Sequence, residues 1–152
     1  MNLSDFENNE TQSNEMDEMV ELAFTKGPQV DTVANAHGRF GYSKSNPVPV
    51  EDQQGQMDYL ARLRCPCNES FVFHRIGSFG CGPDGHTIDG YEIICGKRKH
   101  KFVLYMDMYH KGQSRLLPED MSQGEPEGVG MPFHVKNFPA GLAGAFKTEE
   151  WM

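Results

Sequence analysis

The residues of this chain best suited to chemistry are four cysteines and three histidines between positions 65 and 100. Cys65 and Cys67 form a Cys-Pro-Cys pair, Cys81 lies between Gly80 and Gly82, and Cys95 is followed by His100. Metal binding is the chemistry that such clustering favours, because a tetrahedral zinc site takes thiolates and imidazoles as short ligand pairs carried by neighbouring strands. The preferred set is Cys65, Cys67, Cys95 and His100, with Cys81 as the substitute for the fourth ligand. The spacing departs from a standard zinc ribbon: one residue instead of two separates the first pair, and four separate the second.

Two further constellations compete with zinc. A thiolate at Cys81 in its Gly-rich turn, with His74, His86 or His110 as base, would make a cysteine/histidine-dependent enzyme, although no acid partner or oxyanion donor is identifiable. Asp107 and Tyr109 alternate along one strand and so share a face, with His110 next to them. If the strand ending in His74 and Arg75 lies beside it, then His74, Arg75, Asp107, Tyr109 and His110 form a polar rim. That rim is the candidate pocket for a small ligand.

The elements that must position these residues can be read coarsely. A length of 152 residues fits one domain able to bury about 68–70% of its unfolded surface, so a zinc staple is optional for folding. Residues 1–12 read as a disordered acidic tail, and 13–152 as a single α+β domain. Met16, Met19, Val20, Ala23 and Phe24 recur at helical spacing over 13–25, which predicts an N-terminal amphipathic helix stopped by Gly27-Pro28. The prolines at 47 and 49 predict a polyproline-like connector that packs Val48 and Val50 onto the domain. Met57, Tyr59, Leu60 and Leu63 predict a short helix leading into Cys65. Three strands follow, around Phe71–Ile76, Tyr91–Cys95 and Phe102–Tyr109, as a small antiparallel meander with a Gly/Pro-rich turn over 77–90. Pro118, Gly124, Pro126, Gly128, Gly130 and Pro132 make 111–139 loop-rich, and a last short helix is expected over 140–151.

Charge is uneven. The formal net charge of −8 combines acidic flanks, with 11 acidic and 3 basic side chains in 1–60 and 6 and 2 in 116–152, with a basic middle holding 9 basic and 5 acidic residues over 61–115. The middle could attract nucleic acid or another anion, but acidic arms of the same chain can satisfy it internally, so nucleic acid is not the expected partner. No basic, apolar leader opens the sequence and no stretch is long enough to span a membrane, which gives a cytoplasmic expectation without membrane contact. Thiols stay reduced there, so the cysteines are read as ligands or core residues rather than disulfides.

The strings Gly41-Tyr42, Asn46-Pro47-Val48-Pro49-Val50, Tyr59-Leu60-Ala61-Arg62-Leu63-Arg64, Phe73-His74-Arg75-Ile76-Gly77-Ser78 and Leu104-Tyr105-Met106-Asp107-Met108-Tyr109-His110 resemble a group of small uncharacterised bacterial proteins. The resemblance covers about residues 40–115 and implies a bacterial cytoplasmic domain, with no activity attached. With no phosphate loop, recognisable triad or paired carboxylates in a consistent setting, the chain is read first as a non-enzymatic binding or interaction module. It would carry a structural zinc and recognise a protein partner or a small ligand.

Overall fold

The computed structural model describes residues 28–142. Its regular elements are β1 (Val48–Glu51), α1 (Asp52–Arg62), β2 (Leu63–Arg64), β3 (Phe71–Cys81), β4 (Thr87–Cys95), β5 (Lys101–Asp107), β6 (Tyr109–Gln113), β7 (Ser122–Gln123) and β8 (Val129–Met131). Six strands form one sheet in the order β6-β1-β5-β4-β3-β8, and β2 pairs with β7 in a separate ribbon. Among the described residues the protein is therefore mostly β, and the helix there, α1, lies in mid-chain, which corrects the expected α+β class with a small antiparallel sheet. The predicted helix over 13–25 and most of the one over 140–151 lie outside the described residues.

The expected meander is the heart of the sheet. β3, β4 and β5 are antiparallel neighbours, with Phe71 opposite Cys95 at one end and Cys81 opposite Thr87 at the other. The sheet as a whole is mixed, not antiparallel, because β1 runs parallel to β5 and β8 parallel to β3. β1 is also the clearest departure from the sequence reading, for the Pro-Val-Pro-Val stretch is an interior strand. Val48 and Val50 are wholly buried. Proline has no N–H to give a ladder, and its place is normally an edge or a bulge. Pro49 is accommodated because β1 pairs with β6 through a register shift, and the Pro49 carbonyl there accepts the Ser114 N–H at 3.0 Å.

Strand alternation sends Phe71, Phe73, Tyr91, Ile93, Cys95, Leu104 and Met106 into one core, where they meet Tyr59 and Leu60 of α1. α1 follows from its sequence: Asp52 lies in the first turn and Arg62 in the last, each favoured by the helix dipole, and Gln56, Tyr59 and Leu60 share the buried face. Beneath it, Gln56 donates from Nε2 to Asp89 Oδ2 at 2.7 Å and accepts from the Tyr91 hydroxyl at 2.8 Å. Arg75 closes the network on Asp89 Oδ1 at 2.9 Å.

β8 packs so closely on β3 that only glycine fits at position 130, where a Cβ would collide with the Phe73 ring and carbonyl oxygen. The change Gly130→Ala should cost about 1–3 kcal/mol by forcing the strands apart. Urea unfolding reads this as a lower midpoint at constant slope, and an unchanged midpoint would show that the strands do not approach this closely.

Candidate functional site

Sheet register builds the cysteine cluster. α1 and β2 deliver Cys65 to the open end of the meander, where the Cys65 N–H donates to the Glu69 carbonyl at 2.8 Å and the Asn68 N–H to the Cys65 carbonyl at 2.6 Å. Asn68 takes a left-handed conformation, φ 76°, which a short polar side chain tolerates. The β4–β5 connection makes a similar tight turn: Cys95 N–H donates to the His100 carbonyl at 3.0 Å, and Arg98 N–H, at φ 61°, to the Cys95 carbonyl at 2.7 Å. Because Phe71 pairs with Cys95 and Gly96 N–H donates to the Ser70 carbonyl, the two loops face each other.

The predicted ligands thus converge. His100 Nδ1 stands 3.2 Å from Cys65 Sγ and 3.8 Å from Cys95 Sγ, and all four ligand atoms of Cys65, Cys67, Cys95 and His100 lie within 4.8 Å of one another. Zinc with bonds of ~2.3 Å to sulfur and ~2.0–2.1 Å to nitrogen sets tetrahedral edges of roughly 3.6 Å between sulfur and nitrogen and 3.8 Å between sulfurs. The two His100–sulfur separations, 3.2 and 3.8 Å, fall on either side of the sulfur–nitrogen edge. Cys65 and Cys95 are buried and His100 is exposed. Cys95 Sγ accepts the backbone N–H groups of Lys99 at 3.3 Å and His100 at 3.4 Å, an arrangement that stabilises a thiolate.

The two buried thiols differ in consequence. Burial pushes the Cys65 thiol up to about 12, with Cys67 and Cys95 adding to it. Burial works the same way on Cys95, but the N–H groups of Lys99 and His100 and the His100 ring outweigh it and bring that thiol down to about 6. A cation placed between them favours the thiolate at both.

Cys81, the proposed substitute, is not part of this cluster. It is exposed at the far end of β3, ten residues and roughly 30 Å along the strand from Phe71. Among the described residues no hydrogen bond joins it to His74, His86 or His110. A shallow cavity of about 290 Å³ does run past it, lined by His37, Lys44, Ser45, Cys81, Gly82 and Pro83.

The expected polar rim is divided. His74 pairs across β4 with Glu92, which pairs with Val103, and Asp107 lies four residues further along β5, roughly 13 Å away. His74 is a buried structural residue: Nδ1 accepts the Val135 N–H at 2.9 Å, so Nε2 carries the proton that meets Glu92 Oε1 at 2.9 Å, and the ring stacks on Phe138 at 4.0 Å. Arg75 is committed to Asp89. Asp107 and His110 do come together, and Tyr109 is exposed with its ring 5.3 Å from His86.

The reason is strand length. β3 does not stop near Ile76 but runs on through two register shifts, with Gly77 and Gly80 at positive φ, so that the turn is confined to residues 82–86. That turn meets the end of β5, and Asp84 and His86, absent from the expected site, join Asp107 and His110. His86 Nδ1 lies 3.1 Å from Asp84 Oδ2 and 3.0 Å from Asp107 Oδ2, and His110 Nε2 lies 2.8 Å and 3.1 Å from the same two oxygens. Asp107 also accepts the Tyr109 N–H on Oδ1 at 3.0 Å. A sequence signal existed, since Asp84-x-His86 and Asp107-x-x-His110 are short ligand pairs of the same kind as Cys65-x-Cys67.

Glu92 is held below the usual carboxylate range: burial opposes ionisation, but hydrogen bonds from His74 and Lys101 outweigh it. A depressed pKa contributes stability that is present above the unfolded value of ~4.3 and lost as pH falls through the folded value. Replacing Glu92 by Gln should therefore flatten the decline of melting temperature between about pH 5 and pH 3. The difference between the two chains at each pH isolates this carboxylate, and identical profiles would remove it from the acid response.

In comparisons with known proteins, no family model, curated protein or solved structure matches the chain. Among the described residues no helix is long and apolar enough to cross a membrane.

Proposed function

We infer that the chain is a non-enzymatic binding module in which Cys65, Cys67, Cys95 and His100 hold one structural zinc ion. The carrying observation is the convergence of three sulfurs and the His100 ring on a zinc-sized space, with backbone N–H groups already aimed at Cys95 Sγ. Such a centre ties the loop before β3 to the β4–β5 turn and so fixes the register of the meander. Free, ligand-competent cysteines fit a reducing compartment, and together with the likeness to small bacterial proteins they favour a bacterial cytoplasm.

The partner is read as a protein or small ligand rather than nucleic acid. Of the basic middle, Arg64 pairs with Glu127, Arg75 with Asp89, Lys97 with Glu69, Lys101 with Glu92 and Arg115 with Asp31. Acidic groups of the same chain thus meet five of the nine basic side chains of the middle, lowering the charge left to bind phosphates. Metal analysis of the purified protein tests the zinc reading: one thiolate-bound zinc equivalent in the wild type, weakened in Cys95→Ser, supports it, and metal-free protein of unchanged stability overturns it.

A further inference from the structure

We propose that Asp84, His86, Asp107 and His110 form a second metal site, for a divalent first-row transition ion, at the opposite end of the meander from the cysteine cluster. The residues come from two elements that the sheet brings together, the β3–β4 turn and the β5–β6 junction. Two carboxylate oxygens face two ring nitrogens, and the four oxygen–nitrogen distances all fall between 2.8 and 3.1 Å.

Hydrogen bonding alone serves this arrangement poorly. Each ring nitrogen carries at most one N–H: His110 must share its proton between Asp84 and Asp107, and His86, bonded to Asp107, has none left for Asp84 Oδ2 at 3.1 Å. Asp107 is wholly buried and Asp84 nearly so, and burying two carboxylates against each other needs a compensating positive charge. One ion satisfies all four lone pairs at once. Bonds of ~2.0–2.2 Å to nitrogen and oxygen set tetrahedral edges of roughly 3.3–3.5 Å, a few tenths wider than the present distances and reachable by small side-chain movements.

The donor set also names the class of ion. Two imidazoles disfavour calcium and magnesium, which take oxygen ligands, while two carboxylates admit manganese, iron, cobalt and zinc. The thiolate cluster, by contrast, selects zinc. The His86 side chain, 27% exposed, is the solvent-facing member and marks the way in. Asp107 and His110 are fixed by the sheet, whereas Asp84 and His86 ride on a five-residue turn.

Cobalt(II) is the probe that separates the two centres, because only thiolate ligation gives an intense charge-transfer band in the near ultraviolet. Chelator-treated full-length protein should take up two equivalents of cobalt, one with that band and one with only weak visible bands. The double change Asp84→Asn with His86→Ala should abolish the second equivalent and retain the first, while Cys95→Ser should weaken the first and retain the second. In the wild type, paramagnetic shifts of the His86 and His110 ring protons give a readout that needs no variant. Retention of both equivalents by the double variant, or unshifted His86 and His110 rings at cobalt saturation, overturns the site. Loss of only the charge-transfer equivalent from the wild type would overturn the structural zinc and leave this site standing.

Discussion

Stripping the proposed zinc from the cysteine cluster is expected to lower the melting temperature by about 10–20 °C. The size follows from linkage: an ion that binds only the folded chain, present at 1,000 times its dissociation constant, stabilises by about 4 kcal/mol. For a domain of this size each kcal/mol shifts the melting temperature by roughly 3–5 °C. The effect should fall short of the complete unfolding seen in classical zinc fingers, because the core of Phe71, Phe73, Tyr91, Ile93, Leu104 and Met106 exists independently of the metal.

The variants should rank by what each sulfur does. Cys95→Ser removes a buried ligand whose sulfur already accepts two backbone N–H groups, and Cys65→Ser removes the other buried one, so both should approach the chelated wild type in stability. Cys67→Ser, at a part-buried position of the Cys-Pro-Cys loop, should weaken zinc but cost less once zinc is gone. Cys81→Ser, far along β3, should change neither zinc content nor melting temperature. Thermal unfolding with and without chelator decides the matter: a Cys95→Ser protein as stable as the zinc-loaded wild type would mean that the cluster is four residues in proximity with no metal to hold.

What the sequence made legible was set by locality. Cys65-x-Cys67 and Cys95 with His100 could be paired because each lies within one turn and the strands between them, from Phe71 and to Cys95, are marked by alternating apolar residues. The second cluster depended on how far β3 extends, and glycines at 77 and 80 read as a turn although they are register shifts inside a strand. Ending that strand early placed His74 and Arg75 at a rim with Asp107, whereas the true rim is four residues further along the sheet. β1 was hidden for a different reason: Pro47 and Pro49 speak against a strand, and only the irregular pairing with β6 makes one tolerable. α1, by contrast, needed only its own helical spacing.

Replacing Asp89 by Ala is expected to destabilise the protein by about 2–4 kcal/mol, independently of metal. Asp89 is 5% exposed and stands between two demands: its Oδ2 takes the proton from Gln56 Nε2, and its Oδ1 takes two from Arg75. Without it, Gln56, which is wholly buried under α1, keeps an unsatisfied donor, and Arg75 loses its counter-charge. Arg75 is 30% exposed, so water offsets part of that second loss and the estimate sits below the ~3–5 kcal/mol of a fully buried broken pair. Asn at the same position should cost less than Ala, since Gln56 can turn its amide over, accept from Asn, and donate instead to the Tyr91 hydroxyl. The Tyr91 hydroxyl then loses the acceptor for its own proton and the Arg75 contact loses its charge-assisted part, together less than the loss in Ala. Chemical denaturation of the wild type and both variants, each saturated with zinc, gives the order directly. An Ala variant within 1 kcal/mol of the wild type would show that the contact between α1 and the sheet rests on its apolar residues alone, and Asn and Ala variants of equal stability would show that the Gln56 amide does not turn over.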